Sequence, residues 1–441
     1  MKKFFSFLLL VVLIYPKING QNRILHNGQS IFLSGMNLAW IDFANDLTNF
    51  NEQTFELAMQ QISAAGGNTV RWWILVNGSS SPTFTGDLVT GITQTELENL
   101  ESALDIARDY KIGLILCLWS FDMLRVSFGE TITGRNKLML ENETYLDAFI
   151  DNALTPMLVY IQDHPTIIAW EVFNEPEGMS TQFGWSDILH VSMSDIQRFV
   201  NRVAGAIHRE VPGAKVSNGC WSFYAGTDIN SYKNYYTDEE LISAGGDEDG
   251  TLDFYMVHYY DWGGTDISPF HHPASYWELD KPLVIGEFSA NGPYEGIDPE
   301  TAYRYLYDHG YAGALSWTWT GHDGNGGVDD AQPGMIYLYN NYPNDIILPV
   351  ENYQINSDGK DSEVDVYPTP VTQDCILKFT FPQSIYRISI LTLNGENVKD
   401  FIYPGLMTDM IRLNVEILSK GIYIITIETG DSLIVSKLVK N

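Results

Sequence analysis

Eight short apolar runs, separated by segments of helical period, constrain the fold of this chain more than any other feature. The runs are Ile31–Asn37, Asn68–Ile74, Gly113–Trp119, Ile167–Phe173, Ala214–Asn218, Phe254–Tyr259, Leu283–Glu287 and Gly313–Trp317. Between them, apolar residues recur with a period of about 3.6 over Phe55–Ala65, Leu97–Tyr110, Tyr145–Gln162, Ile188–Glu210 and Pro299–His309. Parallel strands need a crossover, usually a helix, so this alternation predicts an α/β fold with a parallel sheet. Eight such units over roughly 300 residues match a (β/α)8 TIM barrel. An open doubly wound sheet would place a Gly-rich phosphate loop after its first strand. The residues at that place here are Asn37-Leu-Ala-Trp40.

A barrel of this kind carries its active site at the C-terminal ends of its strands. Those ends hold Asn37 and Trp40, Arg71 to Trp73, Trp119 to Asp122, Asn174 and Glu175, Trp221, His258 to Tyr260, Glu287, and Trp317 with Trp319. The opposite ends begin with ordinary turn residues. Two of the ends carry a glutamate: Trp170-Glu-Val-Phe-Asn-Glu175-Pro176 and Leu283-Val-Ile-Gly-Glu287. A buried, unpaired carboxylate is costly, so a pair of them suggests chemistry, and the two-carboxylate scheme of a glycosidase fits. Glu175 is a candidate proton donor, with its pKa raised by burial and by a second carboxylate. Asn174 can donate to a sugar hydroxyl. Glu287 is a candidate nucleophile, which must be ionised. Arg71 and Tyr260 can donate to its carboxylate, and His258 is a further partner for the site. Trp40, Trp119 and Trp317 are candidate sugar platforms.

Composition narrows the ligand. The chain has 56 acidic and 25 basic residues, a formal net charge of -31. Such a surface repels nucleic acid and anionic membranes, and suits a neutral polysaccharide. Residues 1–20, with two lysines before an apolar core too short to span a bilayer, have the form of a secretory signal peptide. No later stretch is apolar enough to insert in a membrane. Cys117, Cys220 and Cys375 are read as buried thiols, not a disulfide framework or a metal cluster. The polar stretch 352–363 reads as a linker after a catalytic domain of residues 21–351. Residues 364–441 alternate apolar and polar residues in short runs and predict a small all-β sandwich. His322 to Asp330 has closely spaced oxygen ligands, but departs from the EF-hand pattern and is read as a solvated loop beside the site. No metal or cofactor is called for.

The strand-end residues resemble the retaining glycoside hydrolases of clan A, closest to family 5. The resemblance spans about Gln21 to Pro349. It rests on Asn174-Glu175-Pro176, Glu287, Arg71, His258-x-Tyr260 and Trp317. It implies that Glu175 is the acid/base, Glu287 the nucleophile, Arg71, His258 and Tyr260 its support, and Trp317 the sugar platform at the cleaved bond. Many family 5 cellulases carry a His at the end of strand three; the stretch here is Leu116-Cys-Leu-Trp119-Ser-Phe-Asp122. β-Mannanases of the family commonly lack that His. This implies a β-1,4-mannan or glucomannan substrate, with a cellulase or xyloglucanase, or an exo-β-mannosidase, as alternatives. A non-catalytic carbohydrate-binding surface protein is the alternative from another class. The C-terminal region resembles the type IX secretion sorting domain of Bacteroidetes, in Val366-Tyr-Pro-Thr-Pro370, Leu391-Thr-Leu-Asn-Gly395 and Lys437-Leu-Val-Lys-Asn441. It implies export across the outer membrane by a secretion machinery, with cleavage or attachment at the cell surface. The chain is expected to be a monomer.

Overall fold

Continuous apolar runs rich in Val, Ile, Leu and Trp fold as strands covered on both faces, and these eight do so in a computed structural model of the chain. It describes residues 23–162, 164–348, 364–367, 371–392, 397–429 and 433–440. The expected signal peptide and linker lie outside the described residues. The chain divides into two units, Met1–Asn352 and Tyr353–Asn441.

In the first unit β1 (Leu33–Leu38), β2 (Thr69–Val76), β3 (Gly113–Ser120), β4 (Ile167–Asn174), β5 (Val216–Cys220), β6 (Tyr255–His258), β7 (Leu283–Glu287) and β8 (Gly313–Ser316) form a closed parallel barrel. Leu33, Ile115, Ala169, Met256, Val284 and Leu315 pack together and fill its floor. The polar inward residues therefore gather at the upper, C-terminal end.

Most expected boundaries hold, and the exceptions have local causes. The expected strand Ala214–Asn218 lies two residues later, at Val216–Cys220. Asn218-Gly219 reads as a turn, but a side chain at Gly219 would begin 2.3 Å from Glu171 Oε1, so glycine is there for clearance. The helix expected from Ile188 starts at Met193, because Ser192 and Asp195 form a reciprocal capping box. The expected helix Tyr145–Gln162 is interrupted by a π-helical turn at Ile150–Leu154, just before Pro156, which has no N–H to give the ladder. An additional helix, Val328–Asn341, follows β8. Between β6 and β7 a 3-10 turn, Ala274–Trp277, takes the place of a longer helix; Trp277 stacks on Phe223 with ring centroids 3.5 Å apart.

The second unit is all-β and antiparallel: β9 (Val364–Tyr367), β10 (Asp374–Thr392), β11 (Asn397–Asn414), β12 (Gly421–Thr429) and β13 (Leu433–Lys440). The sequence alternates in two separate runs here, from Ile376 and from Ile385, but the two lie on one continuous strand, β10. β10 pairs with β9 along Ile376–Phe379 and with β12 along Ile385–Thr392, and its register against β11 shifts between Lys378 and Gln383. Cys375, Leu377, Ile388, Ile390, Ile425 and Ile427 are buried in its core.

Asn68 ties the base of the barrel. Its Oδ1 accepts the Ser34 N–H at 2.8 Å, and its Nδ2 donates to the carbonyls of Phe32 at 2.9 Å and Ile346 at 2.7 Å. Asn68→Ala strands three buried backbone groups and is expected to cost about 2–4 kcal/mol. Denaturant unfolding measures this; a loss below about 0.5 kcal/mol would show that the backbone finds other partners.

Candidate active site

Arg71 stands on β2 with its guanidinium fully buried above the barrel floor. Burying a guanidinium is tolerable only if its N–H groups are bonded and its charge balanced. All five are used. Nε and Nη2 grip Glu171 on β4 in a fork at 2.6 Å each. Nη2 also reaches Asn174 Oδ1 at 2.8 Å. Nη1 donates to Asn37 Oδ1 on β1 at 2.8 Å and to Glu287 Oε1 on β7 at 2.6 Å. Asn37 turns its own amide N–H2 toward the Gly286 carbonyl at 2.9 Å. Asn174 accepts from Arg71 through its oxygen, so its N–H2 is not used by that bond.

Glu287 is held from both sides, since Tyr260 Oη donates to its Oε2 at 2.9 Å. Glu175 is held differently. It follows β4 in the left-handed region (φ 50°), a conformation unusual for a residue with a side chain. Its N–H is fixed on the Gly219 carbonyl at 2.7 Å. His258 Nδ1 lies 2.9 Å from Glu175 Oε1 and 3.5 Å from Glu287 Oε1. Oxygen atoms of Glu175 and Glu287 and a ring nitrogen of His258 all lie within 4.8 Å of one another.

These surroundings separate the two carboxyls. Burial raises Glu287 to about 7, opposed by the Arg71 charge and by the hydrogen bonds from Tyr260 and Arg71. Burial raises Glu175 well above the carboxylate range, and the charges of Glu287 and then Glu177 add to it. Glu287 therefore ionises first, and Glu175 keeps its proton. Burial, then the Arg71 charge, hold His258 well below its usual value, so its ring is neutral. Its Nε2 is buried without a partner among the described residues, so Nδ1 is the ring atom that bonds the carboxyls.

Aromatic residues flank this centre on two sides. Trp40, Trp73 and Trp317 pack together, with ring centroids 5.2 Å (Trp40–Trp73), 5.8 Å (Trp73–Trp317) and 6.1 Å (Trp40–Trp317) apart. The Trp317 indole N–H donates to Asp323. On the other side Trp221 stacks on the exposed Trp262 at 5.2 Å and meets Trp185 edge-on at 5.8 Å. Trp119 is a correction. It is completely buried against Phe149, at 5.2 Å, and beneath Gly78, so it packs the core and offers no face to a sugar. Two of the three carboxylates in the loop over His322–Asp330 are used locally: Asp323 accepts from Trp317 and the Asn325 N–H, and Asp330 from the Gly327 N–H.

Sequence reasoning missed Glu171 as a site residue. The signal was present, because a charge inside a buried apolar run needs a buried cation, and Arg71 stood at a neighbouring strand end. It also missed Glu177, buried two residues beyond Glu175, where a Pro-bearing turn reads as surface.

A closed (β/α)8 barrel with two carboxylates at this spacing, one clamped by an arginine and a tyrosine, defines a retaining glycoside hydrolase. A mannan endo-1,4-beta-mannosidase of Mytilus edulis is 36% identical over 320 residues, covering 67% of this chain and 85% of that protein. One from Cryptopygus antarcticus is 33% identical over 372 residues, covering 76% and 94%. The solved endo-1,4-beta-mannanase of Eisenia fetida superposes with a TM-score of 0.68 at 32% identity, over 75% of this chain and 98% of that one. Residues 365–441 match the family described as a secretion system C-terminal sorting domain. The chain belongs to the mannan endo-1,4-β-mannosidases of glycoside hydrolase family 5 and carries that sorting domain at its C-terminal end.

The order of ionisation sets a pH profile. With Glu287 needed ionised and Glu175 protonated, the roles proposed below, activity is expected to fall as pH drops through the raised pKa of Glu287, above the 4.5 of an ordinary glutamate. It should fall again as pH rises through the still higher pKa of Glu175. Tyr260→Phe removes a donor to the ionised form of Glu287, so the acidic limb of kcat/KM is expected to move to higher pH. An acidic limb that stays in place or moves down would contradict the clamp.

Proposed function

We propose that this protein is an exported, endo-acting β-1,4-mannanase working by double displacement with Glu287 as nucleophile and Glu175 as acid/base. The observation that carries the assignment is the unequal support of the two carboxyls: Glu287 bonds a guanidinium and a phenol, whereas Glu175 bonds a neutral imidazole. The ionised Glu287 oxygen attacks the anomeric carbon while Glu175 delivers its proton to the departing oxygen. The mannosyl–Glu287 ester that results is hydrolysed by a water that Glu175, now ionised, deprotonates. Asn174 donates to the sugar 2-hydroxyl, a contact that strengthens in the transition state.

Mannan is favoured by the activity printed for the relatives and by the lack of a His at the end of β3. Aromatic clusters on both sides of the carboxyls offer platforms for sugars before and after the cleaved bond, which supports internal cutting. Export is read as cleavage of residues 1–20, a catalytic domain over 21–351, a linker over 352–363, and delivery of a monomer by residues 364–441 to the cell surface or the medium.

Two variants test the roles. Glu287→Ala and Glu175→Ala are each expected to lose mannan hydrolysis by about 10³-fold or more. Glu175→Ala should still release a good leaving group, such as a dinitrophenol, from an aryl mannobioside. Azide should rescue it with a β-mannosyl azide product, and rescue Glu287→Ala with the α-anomer. The opposite anomers would exchange the two roles.

A further inference from the structure

A further carboxylate, beyond Glu171, Glu175 and Glu287, sits behind the acid/base, unused by the steps above. Glu177 is completely buried, in the 3-10 turn Pro176–Met179 that follows Glu175. Its Oε2 accepts the Trp221 N–H at 3.1 Å, and its Oε1 accepts the Tyr236 hydroxyl. The same turn is pinned on its other side. The Gly178 N–H donates to the Glu175 carbonyl at 3.3 Å, and a side chain on Gly178 would begin 2.6 Å from the Trp185 ring. The turn that holds Glu175 in its left-handed conformation is thus clamped between Trp185 and the Glu177 hydrogen bonds. Both attachments lead to the Trp221–Trp262–Trp185 wall.

We propose that Glu177 is a positioning residue for the proton donor: its hydrogen bonds fix the turn that aims Glu175 at the leaving oxygen. Its charge, after burial and the charge of Glu287, adds to the hold of Glu175 on its proton. This rests on Glu175 being the acid/base. A buried carboxylate with two donors stays ionised most readily when those donors point at it, as the Tyr236 hydroxyl and the Trp221 N–H do here. The charged and titratable groups around Glu175 are Glu287, Glu177, Asp122, Arg71, His258, Tyr260 and Cys220, and those facing Glu177 include Tyr236 and Cys220. Of the three carboxylates, Glu287 reacts, and Asp122 is paired with Arg125 at 2.6 Å. Burial raises Glu177, and its hydrogen bonds oppose that rise.

The reading differs from a purely structural one in what it predicts for the leaving group. Protonation matters for a sugar leaving group and hardly at all for dinitrophenolate. Glu177→Gln keeps the shape and an acceptor but removes the charge. It is expected to lose about tenfold or more in kcat/KM on mannan, with little change in kcat/KM on dinitrophenyl β-mannobioside, whose first step needs no proton, and the basic limb of its kcat/KM profile on mannan should move to lower pH. Tyr236→Phe, which removes one hydrogen bond only, should show the same leaving-group selectivity more weakly, and it is the variant to read should the first fail to fold. Equal losses on both substrates, or a basic limb that does not move, would overturn the inference. If Glu175→Ala itself shows no leaving-group selectivity, the acid/base assignment falls; if it does and Glu177→Gln does not, only the role of Glu177 falls.

Discussion

Everything at the top of this barrel depends on burying one guanidinium. An unpaired Arg71 would cost several kcal/mol in place, and the chain meets that demand from three other strands at once. Asn37 comes from β1, Arg71 itself from β2, Glu171 and Asn174 from β4, and Glu287 from β7. The fork on Glu171 fixes the plane of the guanidinium, and that plane in turn aims one N–H at Glu287 and another at Asn174. Gly219 on β5 is part of the same solution, because only a residue without a side chain leaves room for the Glu171 carboxylate. Orientation of the nucleophile and satisfaction of a buried cation are one piece of geometry.

From that geometry comes the inequality between the two catalytic candidates. Glu287 is buried and Glu175 is largely withdrawn from solvent, which alone would raise both pKa values. Arg71 and Tyr260 stabilise the charge on Glu287, whereas Glu175 faces a neutral His258 and the charges of Glu287 and Glu177. A carboxylate and a carboxylic acid can then coexist a few ångströms apart, as a retaining mechanism requires. The left-handed backbone at Glu175 is consistent with a side chain placed for chemistry at some local expense.

Much of this was legible in the sequence, and the gaps have physical reasons. The eight strands showed because parallel strands covered on both faces are apolar along their whole length, a signal that Leu283–Glu287 matches residue for residue. β5 was misplaced because Ser217-Asn-Gly-Cys220 carries turn residues, there to clear the Arg71–Glu171 pair, a contact between distant parts of the chain. Glu175, Glu287, Arg71, Asn174, His258 and Tyr260 converge as expected, since strand ends of a closed barrel must meet. Trp119 stood at such an end too, but it fills the space between Gly78 and Phe149, which no local pattern reveals. Glu171 and Glu177 went unassigned because their meaning lies in partners on other strands and loops.

The central claim is that Arg71 and Tyr260 make Glu287, and not Glu175, the ionised nucleophile. The most direct measurement is covalent trapping with a 2-deoxy-2-fluoro-β-mannosyl fluoride, followed by peptide mass analysis. The account predicts one fluoromannosyl adduct, carried by the peptide containing Glu287 and lost in Glu287→Ala. An adduct on Glu175, or turnover with inversion and no adduct, would contradict it.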